Sequence, residues 1–322
     1  MLIPHKNPDG DAIGSSLGLW HYLREKGKEV TVVVPDNFPY FLDFLPGSDT
    51  IVVHEKNTEK TAEKIAGAEI IFCMDYSQLH RCGELEPLVR KASALLATID
   101  HHPGPDPDFR FYWHETGSSS TCELVYSFIR NLDPGHTISI ESATCLYTGL
   151  LTDTGCFRYS LRPQTFATAA SLLETGVPAD KIVTSIFDVN TPERLQLLGF
   201  ALNEKLVILP EYRTAYISLS KADLDRFQLQ KGDTEGLVNY TLSVKDVVFG
   251  VFFHEREPGK TKISFRSKGD FAVNEISGKY FGGGGHRNAA GGQLDAPVAD
   301  TVEKFLQVLP QYKDALQSLD IV

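Results

Sequence analysis

An α/β protein in two parts is predicted: a parallel-sheet domain flanked by helices, then a linker helix, then a smaller α/β domain. Three observations predict it. Short apolar runs alternate with helical patterns early in the chain, helical spacing dominates the middle, and strand-like texture returns after Lys205. The length of 322 residues suits about two domains.

Taken in order, "EVTVVV" (Glu29–Val34), "AEIIFCM" (Ala68–Met74) and "ALLATI" (Ala94–Ile99) are continuous apolar runs. Such runs suit strands covered on both faces, as in a parallel sheet. Helical patterns lie around them at Ala12–Lys26, Glu59–Ala66 and Glu84–Lys91. Helical spacing then covers Ser119–Asn131, Ile140–Thr152, Pro163–Thr175 and Ala179–Asp188, with Ser118 and Ser139 as caps. Asn190–Lys205 reads as a connecting helix, capped by Thr191 with Pro192 in its first turn. Beyond it, "LVILP", "RTAYISLS", "DVVFGVFFHE" and "KTKISFRSKG" have strand character. A helical stretch (Val273–Phe281), the run "GGGGHRNAAGG" and an amphipathic helix near Pro297–Leu319 follow. The expected domains are residues 1–190 and 206–322, with a linker helix at 191–205.

Composition excludes several classes. The formal charge of −11 argues against a protein that coats long nucleic acid, which needs a basic surface. Five cysteines, an odd number without C-x-x-C, disfavour a disulfide framework or a structural zinc site. No apolar run reaches about 18 residues and none resembles a signal peptide, so a soluble, cytoplasmic protein is expected, with no membrane partner.

The opening "HKNPDGD" sets His5, Asp9 and Asp11 close together ahead of a helix. In an extended loop, Asp9 and Asp11 would point to one side. On this segment alone, surface-turn chemistry is an equal reading. Three more segments tilt the balance. Asp75 ends the second apolar run, Asp100, His101 and His102 end the third, and Asp153 ends an apolar helix. Ligands of open α/β sheets bind at the carboxyl ends of strands. Carboxylates and imidazoles together suit a pair of Mn-type divalent ions, and a single ion would not need so many donors.

These segments, H-x-N-P-D-G-D, the post-strand Asp75, D-H-H and Asp153, resemble the four motifs of the DHH phosphoesterase family. "GGGGHRNAAGG" resembles the glycine-rich motif of the C-terminal domain found with many DHH proteins. The resemblance spans nearly the whole chain and is closest to the compact nanoRNases that also act as phosphatases of pAp (adenosine 3′,5′-bisphosphate). It implies an active site in the cleft between the two domains. It also implies two divalent ions, Mn²⁺ first, with Mg²⁺ or Co²⁺ as substitutes. His5, Asp9 and Asp75 match the ligands of one ion. Asp11, Asp75, His101 and Asp153 match those of the other, with Asp75 bridging. His102 matches a position near the reacting phosphate, and a packing histidine is its plainer reading. Asp100 would orient a histidine through its other ring nitrogen, or be a strand-end turn residue.

The implied reaction is attack on phosphorus by a hydroxide held between the metals. The second domain would hold substrate. Gly283, Gly284 and Gly285 would let backbone N–H groups cup an anion, with His286 beside them; a flexible linker is the alternative. Arg266 is the best guanidinium for a terminal phosphate, and Arg158 faces either the cleft or plain solvent. Arg256, Lys260, Lys262, Lys268, Lys279 and Arg287 add a local basic cluster. The implied substrates are short oligoribonucleotides or nucleoside bisphosphates. Three alternatives stay open: a phosphodiesterase for linear dinucleotides such as pApA, a pyrophosphatase or exopolyphosphatase, and a nucleotide-binding sensor without turnover. A homodimer also stays open.

One departure stands out. Family members usually carry a helix and a full strand before the first motif, whereas only "MLIP" stands there in this chain. Either the start is misassigned or a short first strand is tolerated, with reduced stability as the expected cost.

Overall fold

A computed structural model describes residues 1–229 and 232–320; the side chain of Arg256 also lies outside the described residues. The chain divides into two compact units between Val189 and Asn190.

In the first unit the elements are β1 (Leu2–Pro4), α1 (Gly10–Glu25), β2 (Val33–Val34), β3 (Val52–Val53), α2 (Thr58–Ala66), β4 (Ile70–Met74), α3 (Glu86–Lys91), β5 (Leu95–Asp100) and β6 (Phe111–His114). Four helices follow: α4 (Thr121–Leu132), α5 (Ile140–Asp153), α6 (Pro163–Leu173) and α7 (Ala179–Phe187). A parallel sheet runs in the order β1-β4-β5-β6. The β2–β3 pair joins its other side through a bridge between Leu2 and Val32. The three-residue β1 is therefore flanked on both sides, and Leu2 and Ile3 are fully buried.

Alternation explains why these runs are apolar throughout. Leu2, Val32 and Val34 face one core with Ile13, Leu17, Leu146 and Leu150 of α1 and α5. Ile3, Val33, Ile71 and Cys73 face another with Ile65 of α2 and Val89 of α3. Both faces are covered, so neither can be polar.

Helices α1 and α5 pack through glycine. A Cβ on Gly14 would lie 2.5 Å from the Cys145 carbonyl oxygen, and one on Gly149 would lie 3.0 Å from the Asp11 Cα and 2.2 Å from the Cys122 sulfur. Backbone meets backbone, which only residues lacking a side chain permit.

Some boundaries differ from the sequence reading. The first apolar run narrows to Val33–Val34. Ser139 caps α5 as predicted, but α4 is capped by Ser120, whose hydroxyl accepts from the Glu123 N–H, and not by Ser118. Strand β6 was not predicted: "FYWH" is an edge strand with Phe111 and Tyr112 exposed, so the two-sided apolar signal is absent.

In the second unit, α8 (Pro192–Phe200) is capped by Thr191 and carries Pro192 at its start, as predicted. A wider turn over Ala201–Lys205 extends it. Leu197 and Ala201 are buried against Ile217, Leu219 and Phe252, so this helix packs as part of the second unit. The remaining elements are β7 (Leu206–Leu209), β8 (Thr214–Leu219), α9 (Lys221–Asp225), α10 (Leu237–Leu242), β9 (Phe249–Glu257), β10 (Lys260–Ser267), α11 (Val273–Tyr280), β11 (Gly284–His286), β12 (Ala289–Leu294), α12 (Val298–Val308) and α13 (Lys313–Gln317). They build a six-stranded sheet, β11-β12-β10-β9-β8-β7, antiparallel except for β8–β9. Phe249, Phe253, Phe265, Phe281 and Phe305 fill its core. The glycine run is not the flexible linker kept as its alternative reading: Gly284–His286 pairs with Ala289–Gly291 as a hairpin. Among the described residues no helix is long and apolar enough to cross a membrane.

Candidate metal centre

Three adjacent parallel strands end at one place. His5 follows β1, Asp75 follows β4, and His101 follows Asp100, the last residue of β5. Helix α1 starts from the same edge with Asp9 as its cap and Asp11 in its first turn. The extended-loop argument for these two aspartates is therefore corrected. Asp9 Oδ1 accepts from the N–H groups of Asp11 and Ala12, both at 3.1 Å, and a helix begins at Gly10. The local capping preference of aspartate wins over extension. Asp153, the last residue of α5, reaches the group because α5 lies directly against α1.

Among the described residues, the proposed ligands gather in two groups that share no residue, His5–Asp9–Asp75 and Asp11–His101–Asp153. Asp75 faces both. Its Oδ2 lies 3.4 Å from His5 Nε2, and its Oδ1 lies 3.6 Å from His101 Nε2. His101 Nε2 is also 3.9 Å from Asp11 Oδ2 and 3.7 Å from Asp153 Oδ2. The three separations from His101 are too long for hydrogen bonds, and the His5–Asp75 one is at the outer limit of a weak one. They match donors arranged around a shared cation, which stand about 3–4 Å apart when each reaches it at about 2.1 Å. Asp75 itself sits in the left-handed region, φ +64°, a conformation that aspartate tolerates better than most residues.

Each ring nitrogen has an assigned task. His5 Nδ1 donates to the Lys6 carbonyl (2.9 Å) and His101 Nδ1 to the Ser118 carbonyl (3.1 Å), so both rings turn Nε2 toward the carboxylates. His102 Nδ1 donates instead to Asp100 Oδ1 at 2.7 Å. Asp100 is fully buried, and its Oδ2 has no hydrogen-bond partner among the described residues.

The electrostatics show a deficit of positive charge. Burial, then the charges of Asp75 and Asp153, raise the Asp11 carboxyl well above its usual value. Removal from water lifts Asp153 to about 6 against the pull of His101. Burial would lower His101, but Asp153, Asp75 and Asp11 outweigh it and raise the ring to about 9. Burial likewise opposes Asp75, yet His5, His102 and His101 hold its carboxyl well below the usual range. Carboxylates crowded in this way favour positive charge among them. Oxygen and imidazole donors gathered in this way fit divalent metal ions.

Residues outside the sequence reading complete the site. Thr121 Oγ1 donates to Asp75 Oδ1 at 2.7 Å. The N–H groups of Thr121 and Cys122 donate to the two Asp11 oxygens at 2.6 and 2.9 Å. The S-x-x-E pattern at Ser120–Glu123, a helix-start signature, was the available signal.

Two family models match the chain: the DHH family N-terminal domain over residues 1–150 and the DHHA1 domain over residues 214–314. A relative from Thermus thermophilus, a bifunctional oligoribonuclease and PAP phosphatase, is 31% identical, covering 98% of this chain and 89% of its own length. The chain belongs to the DHH family of phosphoesterases. A Bacillus subtilis relative of the same description is 28% identical over 91% of this chain and 88% of its own length. The crystal structure of an exopolyphosphatase-related protein from Bacteroides fragilis matches with TM-score 0.93 and 38% identity, over 98% of this chain and 93% of that one.

The DHHA1 part of this DHH protein carries the remaining expected residues. Sheet register sets His286 opposite Ala289, and Ala289 opposite Arg266. Paired residues of an antiparallel sheet share a face, so Arg266 and His286 stand on one face with only an alanine between them. Gly284, Gly291 and Ser264 form the next row. The three glycines differ in what requires them. A Cβ on Gly283 would lie 1.9 Å from the Gly291 carbonyl oxygen, and one on Gly285 2.6 Å from that of Ala289, whereas Gly284 has open space. Gly283→Ala is expected to cost about 1–3 kcal/mol of stability, while Gly284→Ala leaves it nearly unchanged; denaturant unfolding of the two variants makes the comparison. Three members of the basic cluster are committed locally. Lys260 pairs with Glu257, Arg287 pairs with Asp270, and Lys279 lies over the Tyr280 ring. In the first unit, Arg158 is exposed, with its guanidinium 5.5 Å from the Tyr159 ring centroid.

Proposed function

We propose that the protein is a metal-dependent phosphohydrolase that cleaves short oligoribonucleotides and dephosphorylates pAp. One observation carries the reading: the two oxygens of Asp75 face separate donor clusters, as a carboxylate shared by two ions would. His5, Asp9 and Asp75 would hold one ion, and Asp11, Asp75, His101 and Asp153 the other, with Mn²⁺ the first choice. When bound, such a pair lowers the pKa of water and offsets charge on phosphate oxygens.

The chain's own groups do the rest. Nδ1 donation by His5 and His101 keeps their Nε2 atoms directed at the centre. Asp100 engages His102 Nδ1, so a proton passed to the departing alcohol goes through Nε2. Arg266 is the proposed anchor for a terminal phosphate, since its guanidinium binds phosphate in two-pronged fashion. Gly284 and His286 line the same face. The printed activities of the Thermus thermophilus and Bacillus subtilis relatives support this substrate class.

The test is a substrate panel with added Mn²⁺: pAp, a dinucleotide, a strand of about twenty nucleotides, and polyphosphate, each at several salt concentrations. Polyphosphate is included because of the Bacteroides fragilis neighbour's description. The expected result is at least tenfold higher kcat/KM for pAp and the dinucleotide than for the long strand, with a salt slope of about one or two phosphates. Arg266→Ala is expected to raise KM about 10- to 100-fold, the worth of a charge-assisted hydrogen bond, with metal content unchanged. Equal efficiency on both lengths, or a steep salt slope, defeats the short-substrate reading.

A further inference from the structure

Three proposed ligands from three different elements share one support, the turn from Ser118 to Cys122. The Ser118 carbonyl holds the His101 ring, the Thr121 hydroxyl holds Asp75, and the N–H groups of Thr121 and Cys122 hold Asp11. Ser119, Ser120 and Thr121 have no exposed surface. What secures this turn lies behind it. The Glu123 side chain, only 4% exposed, accepts from the Ser119 N–H (3.3 Å) and hydroxyl through Oε2, and from the Thr165 hydroxyl at 3.0 Å. Its Oε1 accepts from Arg162 Nε at 3.0 Å and Nη2 at 2.7 Å. Arg162, the residue just before α6, also reaches Glu115.

We propose that Glu123 and Arg162 are positioning residues of the metal centre: their ion pair fixes the turn at Ser119, and the turn fixes the donor atoms of His101, Asp75 and Asp11. The inference rests on the metal-dependent reading above. A buried ion pair is a poor source of net stability, because desolvation consumes most of the attraction. It is a good source of geometry, because a fully satisfied network has one low-energy arrangement. Metal ligands need that geometry, and losing a partner of a ligand typically costs about 10- to 100-fold in metal affinity or activity. Glu123 acts one step further back. Its loss does not remove a ligand's hydrogen bond; it frees the turn that supplies three of them.

The test is Mn²⁺ titration of the full-length protein, read by electron paramagnetic resonance, well below each variant's melting temperature. The variants are Glu123→Gln, Arg162→Lys, Thr121→Val and Thr121→Ser. Glu123→Gln and Thr121→Val are expected to weaken Mn²⁺ binding about tenfold or more and to alter the spectrum. Arg162→Lys keeps the charge and loses the two-pronged fit, so a smaller weakening is expected. Thr121→Ser, which restores the hydroxyl, is expected to recover wild-type affinity. With a dinucleotide, kcat falls while KM stays within about twofold. A folded Glu123→Gln protein with wild-type Mn²⁺ affinity and spectrum overturns the proposal. Should that variant fail to fold, Arg162→Lys decides by the same two outcomes. Wild-type protein that binds Mn²⁺ yet cleaves neither pAp nor the dinucleotide defeats the functional reading alone, and the titration still decides this one. Wild-type protein that binds no Mn²⁺ overturns both.

Discussion

Replacing Asp75 with alanine is expected to lower kcat/KM on pAp and on dinucleotides by about a thousandfold or more. The size follows from its position. Metal assistance is worth several kcal/mol of transition-state stabilisation, and about 1.4 kcal/mol corresponds to each tenfold in rate. Among the described donors, Asp75 is the one whose two oxygens face both clusters, so its loss weakens both at once. The fold should survive. The variant loses the attraction of His5, His102 and His101 along with the repulsion of Asp11 and Asp153, and the apolar cores on both faces of the sheet stay intact. The discriminating measurement is metal stoichiometry beside melting temperature. Mn²⁺ at about 100 times its Kd should stabilise wild-type protein by about 2.7 kcal/mol and leave the variant nearly unmoved. A variant that retains two ions per chain and a near-normal rate would remove Asp75 from the centre.

Gly149→Ala is expected to destabilise the first unit by about 3 kcal/mol and to reduce turnover about a hundredfold at temperatures where the variant is folded. The added methyl would stand 3.0 Å from both the Asp11 Cα and the Gly10 carbonyl oxygen, and 2.2 Å from the Cys122 sulfur. Two of these are backbone atoms that cannot rotate away, so α1 and α5 must separate, at the upper end of overpacking costs. Separation moves Asp11 and Asp153 apart, and a displacement near 1 Å at a reacting centre costs about a hundredfold. Gly199→Ala in α8 is the control: a Cβ there meets nothing within 4 Å, so helix propensity alone should give a slight gain in stability. Thermal unfolding and initial rates on the two variants separate the outcomes. Equal behaviour of the two would show that the glycine contact does not position the aspartates.

Much of the candidate centre was legible because its chemistry is written in residue types. Asp75 and the Asp100–His102 run follow apolar segments that periodicity marks as buried strands, and few functions other than metal binding need acids and imidazoles at several strand ends. Legibility failed where two local signals competed. Asp9 and Asp11 resemble a loop pair, yet Asp9 is a helix cap and Asp11 reaches to the start of α4, 110 residues further along the chain. Glu123 carried a helix-start signature, but nothing local shows that its carboxylate goes past its own cap to Ser119 and on to Arg162. The packing demand on the glycines was not legible either: a Cβ on Gly283 or Gly285 would meet the backbone of β12, whereas one on Gly284 meets nothing within 4 Å.

The sequence by itself determined most element types, the two-part division and the residue types of the candidate donors, because apolar period, capping and ligand preference act within a few residues. The tertiary structure alone decided which oxygen faces which ring. That depends on the parallel register of β1, β4 and β5, on the glycine contact between α1 and α5, and on the turn before α4. The physical reason is one of range and tolerance. A strand or helix forms on average hydrophobic pattern, whereas donor atoms must agree to within tenths of an ångström between segments that meet only after the whole unit has packed.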